Sequence, residues 1–476
     1  MEKLFKLKEN GTNVKTELIA GLSTFMTMAY IVALNPNLLT NFGKDGGAGL
    51  WNAVFMATVL SAAIGTFCMA MLANKPFVMA PGMGLNSFFA VVATNIVAIT
   101  GMTYIESYQA ALCIIFIEGI VFIVLSIFKI REKIVEAIPL GIRLGIAPAI
   151  GLMLLNIGLG SNAGIYDENG NVFYMLRDFF GGLTPSVTSN ALGDDGYRKM
   201  VLYVVTAFIG LFVIVALAHK KVTGAVLIGM VAASVIYWAG QAVFLGQNPF
   251  ASLADASWTP PFKDMFDLTF FKFNFEGLVE IGWLSVAMMI VTFCMIDMFD
   301  TIGTLVGTAS RAGMIDDEGK MPKMREALLS DAVGTTVGAC TGTSTVTTFV
   351  ESAAGVEAGG RTGLTALTSA VLFFACIFIA PVAALIPAPA TSAALIYVGV
   401  LMLSGLRNVD FDDVTQTLPI ALMLIAMPIS GSIGHGIGIA LIAYTFIMVL
   451  TGKAKKVSVL TYVLSAMFLV KFFLVI

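Results

Sequence analysis

Apolar runs long enough to cross a bilayer recur from one end of this chain to the other. A membrane-spanning helix needs about 20 mostly apolar residues. Such runs lie near 17–39, 51–73, 106–129, 136–158, 200–218, 222–245, 277–308, 362–386, 391–405, 417–433 and 434–451. Backbone in lipid must satisfy its own hydrogen bonds, so these runs dictate an all-α polytopic membrane fold. Composition agrees: of 476 residues, 58% are hydrophobic and 12% charged, where a soluble domain carries about 25% charged residues. The five cysteines (Cys68, Cys113, Cys294, Cys340 and Cys376) lie in apolar stretches without CxxC or metal-ligand spacing. They read as small packing residues, and no disulfide, metal or cofactor is expected. There is no nucleic-acid motif, no basic domain and no cleavable signal, so nucleic acid is not an expected partner and the lipid bilayer is.

Basic residues set the orientation. Lys3, Lys6, Lys8 and Lys15 fall on one side, with Lys129, Arg131, Lys133, Lys220 and Lys221. Arg311, Lys320, Lys323, Arg325, Arg407, Lys453, Lys455 and Lys456 join them, whereas the opposite loops carry few cations. The positive-inside rule then places the N-terminus in the cytoplasm of a multi-pass protein of the cell membrane. The alternation holds only if the short segments 77–97 and 341–357 each cross or nearly cross, which predicts fourteen crossings up to residue 451. The apolar stretch 457–475 either spans or lies at the interface.

Those two short segments are unusual in kind. Residues 78–90 read VMAPGMGLNSFFA and residues 340–360 read CTGTSTVTTFVESAAGVEAGG. Pro81 and the neighbouring glycines disfavour continuous helix. Thr341 to Thr348 alternates β-branched with small residues and suits an extended strand. Paired interruptions at corresponding positions of two halves point to an inverted-repeat transporter with a midplane site. The bland alternative is a pair of extramembrane loops, which would break the charge alternation.

Acids cluster around these interruptions. Asp297 and Asp300, in CMIDMFDTIG, stand three residues apart and share a helix face. Glu351 follows the Thr-rich segment, and Asp331 precedes it. A charge at the bilayer centre costs on the order of 3 kcal/mol on insertion scales, so intramembrane acids default to a functional reading. No Arg or Lys lies near 297–300 in the sequence, so a carboxyl there can hold a proton, as proton coupling requires. The structural alternative, an acid satisfied by hydroxyl or backbone donors, weighs more for Glu118, whose surroundings are ordinary. Asn86 offers donor and acceptor to a base edge, or it caps the following helix. Phe88, Phe89 and Phe349 could stack on a planar ligand, although packing is the usual role of an aromatic. Gly303 and Gly307, one turn apart, are expected to allow close helix packing.

APGMGLNSFFA (80–90), DMFDTIGT (297–304) and TSTVTTFVESAAGVEAGGRTGLTAL (343–367) together resemble nucleobase–cation symporter family 2, in its AzgA-like branch of hypoxanthine, guanine and adenine permeases. The resemblance covers nearly the whole chain in order and spacing. It implies fourteen segments in two inverted repeats of seven, with a short strand in segments 3 and 10. A core domain would comprise 1–133 and 276–388, a gate domain 134–275 and 389–452, and 453–476 exceeds that plan. It implies a secondary active transporter, not an enzyme, importing purine bases with protons by an elevator-like motion, and a gate-mediated homodimer fits the family. The implied substrate-binding residues are Asp297, Glu351, Asn86, Val350, Ser87, Thr343 and Phe349. The implied proton-coupling residues are Asp300, Asp297, Glu351 and Asp331. After Glu351 this chain reads SAAGVEAGGRTG, unlike the xanthine and uracil branch, so side-chain roles from that branch do not carry over.

Other readings are weaker. Intramembrane aspartyl proteases place their acids on separate helices, one in a GxGD motif, and here the pair shares one helix. A channel would need charge rings or a repeated pore helix. A sulfate-type anion carrier on the same architecture would want cations or helix N-termini at the site. A sodium-coupled nucleobase carrier is the other alternative.

Overall fold

The computed structural model describes residues 2–128, 139–160, 185–251, 257–311, 314, 321–430 and 432–474. These residues are almost all helical. In the first half run α1 (Val14–Met28), α2 (Ile31–Leu39), α3 (Trp51–Cys68), β1 (Met79–Pro81), α4 (Met83–Thr100), α5 (Tyr104–Ile127), α6 (Leu140–Leu159), α7 (Pro185–His219) and α8 (Ala225–Phe244). In the second half run α9 (Trp283–Arg311), α10 (Met324–Thr341), β2 (Val346–Thr348), α11 (Ser352–Glu357), α12 (Gly363–Ala375), α13 (Ala388–Met402), α14 (Val414–Ser430), α15 (Ile433–Leu450) and α16 (Val459–Leu474). α7 is broken at Gly193, whose φ of 75° no ordinary helix residue adopts.

Among the described residues, 11 helical stretches are long and apolar enough to cross a membrane. Segment 77–97, expected to be too short for an ordinary span, supplies one of them as Met83–Thr100. Length and hydropathy alone do not reach the expected fourteen. α14 and α16 are shorter apolar helices, and α10 carries Asp331 and several threonines. α10 packs between α3 and α5, and a helix surrounded by protein need not be apolar. The expected extended run from Thr341 is shorter than its β-branched pattern suggests. Helix α10 continues through Thr341 and turns at Gly342 (φ 114°), leaving strand only at Val346–Thr348.

The helices associate in two sets. α10 packs on α3 and α5, and α12 packs on α1 and α3. Elsewhere α6 packs on α13 and α14, α7 on α8 and α13, and α14 on α15. α3 and α10 cross at two glycines. A Cβ on Gly65 would lie 3.5 Å from Gly334 Cα and 3.2 Å from Val346 Cγ1. One on Gly334 would lie 3.4 Å from Gly65 Cα. Gly303, by contrast, is not a packing glycine: it is exposed, with no heavy atom within 4 Å of where a Cβ would sit. The side-chain environment of Gly307 lies outside the described residues.

Candidate functional site

The two interruptions meet. β1 and β2 form an antiparallel pair with Met79 opposite Thr348, Ala80 opposite Thr347 and Pro81 opposite Val346. Gly82 N–H donates to Thr345 O at 3.0 Å, and Phe349 N–H donates to Val78 O at 3.0 Å. Bonded and non-bonded pairs alternate in an antiparallel ladder, so Met79, Pro81, Val346 and Thr348 turn their backbone groups outward. Pro81 therefore occupies a position where its missing N–H costs the ladder nothing.

The outward groups are met by hydroxyls. Thr66 Oγ1 on α3 accepts from Met79 N–H at 2.9 Å and donates to Met79 O at 3.0 Å. Thr335 Oγ1 on α10 accepts from Val346 N–H at 3.3 Å and donates to Val346 O at 3.2 Å. The two threonines follow the two crossing glycines, so Gly65-Thr66 and Gly334-Thr335 do the same work in each half of the chain. One side chain thereby satisfies both backbone groups of a buried residue that has no further strand beside it.

The run Thr343-Ser344-Thr345 is held from three helices. Asn35 Nδ2 on α2 donates to Thr343 Oγ1 at 3.0 Å. Ser344 Oγ donates to Asn86 Oδ1 on α4. Thr345 Oγ1 donates to Glu118 Oε2 on α5 at 2.8 Å. Asn86 Nδ2 also donates to Pro81 O at 3.1 Å. Asn86 is fully buried, and it ties the start of α4 to β1 and to the run that leads into β2.

Beside the strand pair lies a cavity of about 70 Å³, partly open to the outside. That is well below the roughly 300–1,000 Å³ typical of small-molecule sites, so a ligand of that class needs the site to widen. Asp300 and Glu351 supply its two carboxyl groups, and Gly82, Met83 and Gly84 supply backbone from the start of α4. Among the described residues that line it there is no Lys, Arg or His. First-turn N–H groups of a helix have no partner inside that helix, so Met83 and Gly84 have donors to offer a ligand. Thr347 Oγ1 donates to Asp300 Oδ2 at 3.4 Å, and Tyr30 OH donates to Glu351 Oε1 at 2.8 Å. Two acids in a membrane protein are tolerable because they face this cavity and each accepts from a hydroxyl.

The predicted residues separate into two groups. Asp300, Glu351, Phe349 and Val350 line the cavity; Phe349 is buried and Val350 is 51% exposed. Asn86, Ser87, Thr343, Asp297 and Asp331 are buried and lie outside that lining. Ser87 Oγ donates back to Met83 O at 3.0 Å within its own helix. Phe88 packs on Phe293 and Phe89 on Tyr108, away from the cavity. Asp297 and Asp331 come together instead behind Asp300. Thr301 Oγ1 lies 3.0 Å from Asp297 Oδ1 and 2.8 Å from Asp331 Oδ1.

Tyr30, Thr304, Val398 and Met402 also line the cavity and were not expected. Tyr30 lies at the break between α1 and α2. Its signal was a polar aromatic placed just before a proline-containing apolar run. Val398 and Met402 carry no signal beyond apolarity. Thr66 and Thr335 could have been found as the Gly-Thr pair repeated in IGTF (64–67) and VGTT (333–336).

The model of the Permease family matches residues 15–434. A putative permease of Methanocaldococcus jannaschii, MJ0326, is 38% identical over 99% of this chain and 98% of its own length. The guanine/hypoxanthine permease PbuO of Bacillus subtilis is 36% identical over 99% of this chain and 100% of its own. The adenine permease AdeP of Escherichia coli K12 is 34% identical over 99% and 95%. Among solved structures, the transmembrane domain of the cyanobacterium bicarbonate transporter BicA superposes with a TM-score of 0.62 at 16% identity, covering 89% of this chain and 97% of that one. SLC26A9 gives 0.57 at 12%, covering 92% and 66%. These two likenesses are of fold. The span of the family match and the identity of those relatives establish that this chain belongs to the Permease family, as a multi-pass membrane permease and not an enzyme.

Proposed function

We propose that this permease imports purine nucleobases together with protons. The observation that carries the reading is the cavity: Asp300 and Glu351 on one side, the first-turn N–H groups of α4 on another, and no basic side chain among the described residues that line it. A purine base presents ring N–H and exocyclic NH₂ donors next to ring-nitrogen or carbonyl acceptors. Carboxylates accept from the donors and backbone N–H groups give to the acceptors. Phe349 offers its face to the ring plane. The names of the relatives, permeases of adenine and of guanine and hypoxanthine, support the substrate class.

In this reading Asp300 and Glu351 touch the base, with Phe349 and Val350 beside it. Asn86, Ser87 and Thr343 position the strands. Asp297 and Asp331 serve coupling. The fourteen segments form two inverted repeats, with core 1–133 and 276–388 and gate 134–275 and 389–452. The core moves against the gate and carries the site across the membrane. The N-terminus is cytoplasmic, and two copies pair through their gates. A sulfate-type anion carrier loses support because two carboxyl groups line the cavity and would repel an anion.

The test is uptake of radiolabelled hypoxanthine, guanine and adenine into proteoliposomes under an imposed proton gradient, with unlabelled purines, pyrimidines and sulfate as competitors. Purines compete, and D300N and E351Q each lose at least tenfold in uptake. Sulfate competition, or wild-type uptake by both variants, overturns the site. Uptake driven by sodium and indifferent to protons overturns the coupling.

A further inference from the structure

Behind the cavity, α9 and α10 bring two carboxyl groups to one hydroxyl. Asp297, Thr301 and Asp331 are each fully buried. Thr301 Oγ1 is 3.0 Å from Asp297 Oδ1, one turn back on α9, and 2.8 Å from Asp331 Oδ1 on α10. A threonine hydroxyl has one hydrogen and two lone pairs. It can give a full hydrogen bond to only one of these oxygens. The other contact is a hydrogen bond only if that carboxyl carries the hydrogen and donates it to Thr301 Oγ1. Two ionised carboxylates at these distances would leave one oxygen facing a lone pair of Thr301.

We propose that the Asp297–Thr301–Asp331 cluster holds one proton, and that Thr301 is the positioning residue through which that proton passes between α9 and α10. The transfer balances with no other reactant. The protonated carboxyl gives its hydrogen to Thr301 Oγ1 as the threonine gives its own to the other carboxylate, so one O–H bond breaks and one forms at each oxygen pair. The inference rests on the reading of the protein as a proton-coupled carrier, and it separates two jobs within that reading. Asp300 and Glu351 face the base, while the proton sits one layer behind.

The placement makes coupling physical. Asp300 is the residue before Thr301, and it lines the cavity while Asp297 and Asp331 do not. A base that engages Asp300 changes the field at the buried pair, because charges interact strongly across low-dielectric protein. Among the described residues, the other charged groups and the histidine on elements packed against α9 are Glu106 and Glu118 on α5, Arg143 on α6, Glu276 and Glu280 on the short helix Phe275–Ile281, Arg325 and Glu326 on α10, Glu351 and Glu357 at the two ends of α11, and His435 on α15. Of these, Glu351 and Glu118 are already engaged by Tyr30 and Thr345.

Full-length protein is reconstituted in liposomes containing a pH-sensitive dye. An inward hypoxanthine gradient then drives proton entry, and labelled hypoxanthine exchange is followed at equal concentrations on both sides. T301V is expected to lose at least tenfold in proton entry per base while keeping exchange within about threefold of wild type. T301S restores proton entry to within threefold. T301V moving protons and base at the wild-type ratio overturns the proposal. If wild type moves base without protons, the coupling reading itself fails, which is a different result. If T301V does not fold, infrared difference spectra decide. Wild type shows a protonated-carboxyl C=O band at neutral pH that is absent in D331N, whose amide supplies the donor that the proton supplied before. A band unchanged in D331N overturns the proposal.

Discussion

Replacing Thr335 by valine keeps the shape of the side chain and removes one hydroxyl. That hydroxyl serves both backbone groups of Val346, accepting at 3.3 Å and donating at 3.2 Å. The ladder offers no substitute. Val346 stands opposite Pro81 at a non-bonded position, and proline has no N–H to turn toward it. The site is buried, so water does not replace the hydroxyl without a rearrangement of α10. Each unsatisfied buried group costs about 1–3 kcal/mol, giving roughly 2–6 kcal/mol for the pair. The valine methyl recovers only a small part, because transfer of one methyl-sized group is worth about 0.8 kcal/mol. T335V is therefore expected to melt several degrees below wild type in detergent, with T335S between them. Because Thr347 and Thr348 come from the same strand and line the cavity, base affinity should fall along with stability. T66V acts on Met79 by the same logic. Melting of T335V at the wild-type temperature with T335S below it would show that the hydroxyl is not what holds β2.

Other expectations follow from the same contacts. Y30F removes the donor to Glu351, a charge-assisted bond worth about 1.5–3 kcal/mol, so base binding measured on purified protein should weaken roughly 10- to 150-fold; an unchanged Kd would separate Glu351 from the base. Gly84 packs on α6, where a Cβ would lie 2.7 Å from Ile150 Cγ2. G84A should cut uptake, and adding I150A should recover much of it; no recovery would mean that crowding there is not the cause. Glu17 is buried and accepts from Arg361 N–H at 2.8 Å, Thr365 N–H at 3.1 Å and Thr365 Oγ1 at 2.6 Å, bracing the start of α12. E17A should reduce the melting temperature more than E17Q, and equal melting of both would deny the carboxylate its bracing role.

The fold was legible where it depends on hydropathy and on punctuation. Spans near 106–129 and 222–245 read directly because lipid demands apolar length, and APGMG announced an interruption because proline and glycine resist helix. Other parts were hidden for physical reasons. α10 is polar because protein surrounds it, so a hydropathy scale cannot recognise it as a buried helix. The acids near 297–300 were visible as a pair on one face, but a spacing of three residues cannot say which member faces a cavity. That choice is made by β2 and α10, which offer Thr347 to Asp300 and leave Asp297 to Thr301 and Asp331. Tyr30 and Thr335 act through partners 321 and 11 residues away, at distances that no local pattern encodes.

The fold is shared with BicA and SLC26A9 at 16% and 12% identity. Two short strands followed by helix starts point N–H dipoles into the middle of the protein, and taken alone that geometry favours a negative ligand. In this chain the dipoles meet carboxyl groups. Asp300 enters from α9, and Glu351 follows β2 where the chain turns into α11. Donors and acceptors then stand side by side in one cavity, which suits a neutral heterocycle that has both and repels an anion that has only acceptors. The scaffold sets where a ligand sits, and a few side chains around it set which charge class it accepts. That division makes a demand that can be checked: D300N/E351Q should weaken purine binding, and it should weaken repulsion of small anions at the same time.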